Sequence, residues 1–268
     1  MIIDFHTHVF PDKIAGKTIE LLSKKGGIPP FSDGTVNGLL ERMQKSGSDI
    51  SVTLPVLTSP SQFDSVNRFA AQINAAPSNN GKRIISFAGI HPACENIEEK
   101  MAFIRDSGFL GVKIHPDYQG TYIDDSGYVK IMRCAAKYDL IVVTHAGVDI
   151  AFRDDVHCTP DRVLNLISQA PHSKLVLAHM GGSEMYDEVL DKLCGKDLYL
   201  DTAYVLRDIG KDTFLRMLDK HGKDRILFAT DSPWSDIGGD VDIIKSFELD
   251  ARTEQKIFFE NACALLVI

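Results

Sequence analysis

His6 and His8 stand one residue apart in MIIDFHTHV, and alternate residues of a strand share a face, so a strand here places two imidazoles side by side. Such a pair is half of a metal site. Three more residues of ligand type close short apolar runs: His145 in IVVTHAG, His179 in LVLAHMGG and Asp231 in ILFATDSPW. Neutral imidazole and carboxylate suit Zn, Fe, Mn or Ni, and a catalytic centre needs about three or four such ligands with one position left for water. His6, His8, His145 and Asp231 can supply that set. A lone HxH pair is as readily two hydrogen-bonded core or loop histidines. Candidates aligned at several strand ends shift the balance toward chemistry.

The elements that must position these residues are read from apolar runs. Eight of them have strand character: 2–6, 50–56, 84–90, 109–115, 140–145, 175–179, 198–204 and 226–231. Between them lie stretches with helical spacing, among them 36–45, 63–76, 96–105, 127–138, 160–168, 184–193 and 212–221. Near-continuous apolar strands alternating with helices imply a parallel sheet covered by helices, and eight such units match a distorted (β/α)8 TIM barrel forming one domain over residues 1–268. A doubly wound open sheet is the competing architecture. The barrel makes the sharper statement, because its chemistry gathers at the C-terminal ends of the strands, where His8, His91, His115, His145, His179 and Asp231 all fall. Thr159-Pro160-Asp161 reads as a helix cap followed by proline, and Ser183-Glu184 as a helix start. The stretches near 25–33 and 148–159 are the expected lids or specificity loops.

Composition sets outer bounds. The 268 residues are 44% hydrophobic and 25% charged, the balance of an ordinary globular protein with a substantial core. A formal charge of −8 gives no general pull toward nucleic acid or an anionic membrane. The five cysteines are scattered singly, with no CxxC pair, so reduced thiols in the cytoplasm are expected. MIID lacks a basic leader, and no run reaches the ~18 apolar residues of a membrane span.

DFHTH, GVKIHP, THAG, AHMGG, ATDSPW and the closing NACALL together resemble the amidohydrolase superfamily. Within it, the chain is similar to the branch that holds the aminocarboxymuconate-semialdehyde decarboxylases, the aromatic-acid decarboxylases and assorted hydrolases. The resemblance runs over essentially the whole chain. It implies one divalent metal, zinc as the first choice, held by His6, His8, His145 and Asp231, with His179 beside the metal-bound water. A divalent metal lowers the pKa of bound water toward ~7, and Asp231 stands ready to accept its proton. His179 would polarise a substrate carbonyl or steady the developing oxyanion. Homodimers are common in this branch.

Lys113 divides the possibilities. In two-metal members of the superfamily a lysine on the fourth strand is carboxylated and bridges the metals, which would make His145 and His179 ligands of a second metal. The alternative is an intact ammonium that binds a substrate carboxylate or pairs with Asp231. His115 has the same strand parity and is either a substrate contact or a loop histidine set by Pro116. His91 lines the pocket, Asp4 orients a ligand or closes the barrel bottom, and Thr144 supports His145. Trp234 forms a substrate wall or packs under the final helix, Arg153 and Arg207 clamp a carboxylate or lie on the surface, and His157 reads as a loop residue. Tyr118, Tyr122 and Gln119 are pocket-wall candidates, and His172 and His221 belong at the far end of the barrel.

The expected activity is metal-dependent hydrolysis of a small carboxylated or cyclic molecule through activated water. Non-oxidative decarboxylation uses the same ligand set and is the alternative, since fold does not fix reaction. A barrel that binds metal without turnover is the third reading. It is disfavoured because a degenerate site need not keep ligands and acid-base groups together.

Overall fold

In the computed structural model, which describes residues 1–268, the apolar runs become nine parallel strands. They are β1 (Ile3–Thr7), β2 (Ile50–Thr53), β3 (Arg83–Ser86), β4 (Ala88–Gly89), β5 (Gly111–Ile114), β6 (Ile141–Thr144), β7 (Leu175–Leu177), β8 (Tyr199–Asp201) and β9 (Ile226–Leu227). The order follows the chain, β1-β2-β3 and then β4 through β9. The run expected at 84–90 is one strand broken at Phe87, whose N–H donates to the Thr53 carbonyl at 3.0 Å. At the other seam Phe5 N–H bonds the Phe228 carbonyl (2.9 Å), Asp231 N–H the His6 carbonyl (2.8 Å) and His8 N–H the Ser232 carbonyl (2.6 Å). These bonds join the last strand to the first and complete the barrel.

Helices cover the outside. The principal ones are α1 (Asp12–Gly26), α2 (Val36–Ser46), α3 (Phe63–Ala75), α4 (Ile97–Asp106), α5 (Pro116–Gln119), α6 (Ser126–Tyr138), α7 (Pro160–Gln169), α8 (Tyr186–Lys192), α9 (Lys211–His221), α10 (Ile237–Ser246), α11 (Ala251–Gln255) and α12 (Asn261–Leu266). Thr159 caps α7 through the Arg162 N–H, with Pro160 in the first turn, as its sequence predicts. The helix expected from Ser183-Glu184 starts instead at Tyr186, because Glu184 has φ +59° and cannot enter a right-handed turn. Helix α1 has no counterpart in the sequence reading. Only Ala15 and Ile19 of it are buried, an apolar stripe too thin to stand out. No helix is long and apolar enough to cross a membrane.

Strand parity separates two packing faces. Val142 and Leu177 join the larger core with helix residues such as Leu39, Met43 and Met101. Val143 and Val176 join a smaller core with Ile3, Phe5 and Phe87, closed by Ala262, Leu265 and Leu266 of α12. Lys113 is in register with Val143, so it shares that inner face. A register shift between Asp4 and Thr7 breaks strict alternation beside the two histidines of β1.

Several strands stop earlier than their apolar runs, β7 and β9 among them. Asp231 (φ +64°) and His179 (φ +59°) are left-handed, a conformation that ends a strand, so both lie just past the ladder. Gly147 of THAG brings two of these turns together. Its φ is +82°, and a Cβ there would lie 2.1 Å from the Ser183 nitrogen, so only glycine lets the β6 and β7 loops touch.

Candidate metal centre

His6, His8 and Asp231 converge, each offering an atom within 4.8 Å of the others. His8 Nε2 lies 2.9 Å and His6 Nε2 3.3 Å from Asp231 Oδ1, and the two Nε2 atoms are 3.2 Å apart. The outer ring nitrogens are committed. His8 Nδ1 faces the Leu54 carbonyl at 2.9 Å, an acceptor only, and so carries the proton. His6 Nδ1 donates to Asp201 Oδ2 at 2.9 Å. In the neutral imidazoles both Nε2 atoms are therefore lone pairs, pointed at each other and at a carboxylate oxygen. A cation satisfies all three together, so the residues fit a divalent metal.

Burial, reinforced by the nearby Lys113 charge, holds the His6 imidazole well below its usual range, which keeps the ring in the ligating form. Lys113 is itself buried, and its Nζ lies 3.1 Å from His6 Nε2. Burial pushes its ammonium down to about 8, with Asp201 and Asp231 opposing the fall. The lysine thus contacts His6, and its expected pairing with Asp231 gives way to this shorter reach.

His145 stands apart from these three candidate ligands. Its Nδ1 is 2.9 Å from His179 Nε2, while His179 Nδ1 faces the Ala203 carbonyl at 2.8 Å. His179 links the two groups, its ring centroid 4.6 Å from that of His145 and 5.6 Å from that of His6. His115 stacks flat on His145, centroids 4.3 Å apart and planes 8° from parallel. Its Nε2 is 3.4 Å from Asp149 Oδ2, and His115, His145 and Asp149 form a second buried cluster of ligand type.

The supporting shell holds what the sequence reading missed. Asp201 Oδ1 accepts from the His179 and Ala203 amides, both at 3.0 Å, while Oδ2 fixes His6. One fully buried carboxylate thereby orients two of the site's histidines. The available signal was an acid ending an apolar run, LYLD, as Asp231 ends ILFATD. Asp4 accepts from Thr230 Oγ1 (2.6 Å), Thr230 N–H (3.0 Å) and His6 N–H (3.3 Å), bracing the turn that carries Asp231. Burial pushes its carboxyl up to about 8. Thr144 bonds the His145 carbonyl, supporting its backbone and leaving the ring free.

Other candidates disperse. His91 accepts the Ala93 amide in its own turn, Gln119 bonds the Leu57 and Ile90 carbonyls, and Arg153 pairs with Glu184 on the surface. Tyr122 is exposed and bonds Asp155. His172 and His221 bond the Leu140 and Leu198 carbonyls, just before β6 and β8, at the end opposite the metal centre. Trp234 and Arg207 line a cavity of about 200 Å³ with Phe31 and Tyr204, next to the Asp231 turn. Lys25, expected in the first of the two loops, lies in the last turn of α1 and reaches the second, its Nζ 3.5 Å from the Phe152 ring centroid and 4.9 Å from that of Tyr118 in α5.

Known structures share this architecture. A 2,6-dihydroxybenzoate decarboxylase from Rhizobium superposes with a TM-score of 0.73 at 17% identity, covering 99% of this chain and 98% of its own. A dihydroxybenzoic acid decarboxylase from Polaromonas, solved with manganese and 2-nitroresorcinol, gives 0.73 at 16%, covering 99% and 96%. A probable 2-pyrone-4,6-dicarboxylic acid hydrolase from Acinetobacter baumannii, with citric acid bound, gives 0.66 at 15%, covering 100% and 99%. A search of curated proteins returns no match. The family model described as amidohydrolase matches residues 3–268, and with its parallel barrel and convergent histidines the chain belongs to the amidohydrolase family.

Proposed function

We propose that this protein is a metal-dependent hydrolase acting on a small carboxylated or cyclic molecule. The observation that carries the reading is the meeting of His6 Nε2, His8 Nε2 and Asp231 Oδ1, three acceptors of which only His6 Nε2 has a donor, the Lys113 ammonium at 3.1 Å. Those residues would hold the metal, with His145 as the fourth ligand. When bound, a divalent ion supplies a Lewis acid that polarises a substrate oxygen and acidifies a water. Asp231 keeps its second carboxylate oxygen clear of the two histidines and takes up a proton there. His179 Nε2 is the second proton-handling atom, since the Ala203 carbonyl fixes the ring's own proton on Nδ1. Lys113 and His115 bind and orient the substrate, the lysine through its charge and the histidine through its place over His145.

Zinc suits the ligand set, and manganese is the ion named for the Polaromonas neighbour, so both belong in the test. We place the protein in the cytoplasm on its five free cysteines, and its partner is a small molecule; a homodimer is the assembly to look for.

Decarboxylation is the second reading. The solved neighbours include decarboxylases of dihydroxybenzoates as well as the probable 2-pyrone-4,6-dicarboxylic acid hydrolase, and the same proton-handling pair can protonate a ring carbon as CO2 leaves. The experiment is a substrate screen of lactones, amides and aromatic acids on zinc- and manganese-loaded protein, following released acid and CO2 in parallel. Acid without CO2 supports hydrolysis. CO2 with loss of the carboxylate replaces it with the second reading.

A further inference from the structure

Two buried atoms near the centre lack partners, Nε2 of His145 and Oδ2 of Asp117, and they face each other across 3.8 Å. The tautomers of the neighbouring rings explain why. His179 Nδ1 donates to the Ala203 carbonyl, so its Nε2 is a lone pair, and His145 Nδ1, 2.9 Å away, must donate to it. The Nε2 of His145 is then a second lone pair, aimed at a carboxylate that also only accepts. Moving the His145 proton from Nδ1 to Nε2 reverses this. Nε2–H then points its positive end at the Asp117 carboxylate across 3.8 Å, an attraction in place of two opposed lone pairs, and Nδ1 becomes a lone pair beside that of His179. Two facing lone pairs at this distance repel unless a cation is near. The tautomer that the buried carboxylate favours is thus the one a metal ligand requires.

Resting on the metal reading above, we propose that Asp117 is a positioning residue that holds the His145 proton on Nε2, so that His145 presents Nδ1 to the metal. Its carboxylate is well placed to do so. Asp117 lies in α5, directly after His115 and Pro116, and is almost fully buried. Its Oδ1 accepts the His157 amide at 3.2 Å and His157 Nδ1 at 3.1 Å, which leaves Oδ2 directed toward His145. His115, stacked on His145, fixes the plane of the ring that Asp117 addresses. His157, expected to be an idle loop residue, thereby anchors the carboxylate.

Asp117→Asn separates this role from packing. The His157 amide keeps the Asn oxygen where Oδ1 was, so the NH2 faces His145 and forces its Nε2 to accept, locking the wrong tautomer. Asp117→Ala only removes the preference. Zinc affinity is measured by chelator competition on the full-length wild type, both variants and His8→Ala. Asp117→Asn should bind zinc roughly 10- to 100-fold more weakly than wild type, and Asp117→Ala should fall between them. A packing role predicts the reverse order, because Asn keeps the shape that Ala loses. Asn binding within twofold of wild type, or Ala weaker than Asn, overturns the proposal. Nitrogen NMR of the zinc-loaded wild type tests it without any variant: a His145 proton on Nε2 supports it, and one on Nδ1 overturns it. If wild type binds no zinc, or His8→Ala binds as tightly, the metal reading itself fails and the proposal falls with it.

Discussion

Asp201 fixes two histidines of the candidate site, and its replacement yields two separable losses. Its two oxygens satisfy three buried donors: His6 Nδ1–H, the His179 amide and the Ala203 amide. In Asp201→Ala all three are stranded, at about 1–3 kcal/mol each, so at least about 3 kcal/mol is lost. For a chain of this size that is a Tm drop of roughly 6–12 °C or more, at 2–4 °C per kcal/mol. In Asp201→Asn the two amides keep the oxygen, and the NH2 turns to His6 Nδ1. That group can then only accept, so the His6 proton moves to Nε2 and points at the other ligands. Stability should fall by only about 1 kcal/mol, while metal affinity falls roughly 10- to 100-fold. Thermal melts in excess chelator isolate the first effect, and zinc titration measures the second. If Asn binds zinc like wild type, or if Ala melts within 2 °C of it, the reasoning that ties Asp201 to the His6 tautomer is wrong.

Asp231→Asn should leave the fold intact by circular dichroism and reduce turnover by roughly 10²–10⁴-fold, the range of a lost acid-base group; near-normal rates would remove Asp231 from the chemistry. His221 is buried and bonded through both ring nitrogens, and burial pushes its pKa down to about 4. The unfolded chain binds that proton near 6.5, so the stability this group confers is complete above pH 6.5 and declines as pH falls toward 4, by on the order of 3 kcal/mol. His221→Gln should therefore flatten the Tm profile between those values, and parallel profiles for the two proteins would refute the assignment. Gly147→Ala would drive a methyl into the Ser183 backbone and costs at least about 2 kcal/mol, seen as a lower denaturation midpoint; an unchanged midpoint would mean the loops part easily.

The barrel was legible because its strands are short apolar runs at a regular spacing and ligand-type residues stand where those runs stop. His6, His8 and Asp231 came together as the HxH pattern and the strand order require. His145 was assigned to the same cluster from its strand end and the family resemblance, and the structure places its ring against His179 and under His115. Strand order fixes which loop a residue enters, while the ring's contacts depend on χ angles and tautomers that neighbouring carbonyls decide. Asp201, Asp149 and Asp117 were missed for a related reason. Acids after a strand or a Pro are common as turn and helix-start residues, and only burial distinguishes these three. Helix α1 escaped because its buried stripe is thin, and the break at Phe87 because an apolar run does not reveal where a ladder loses register.

The central claim is that His6, His8 and Asp231 form the seat of a divalent ion. The most direct test is elemental analysis of purified protein after chelator treatment and reloading with zinc or manganese, for wild type and a His6→Ala/His8→Ala double variant that keeps its fold. Wild type should bind metal and the variant should lose it. A wild type that takes up neither ion, or a double variant that holds as much as wild type, would contradict it.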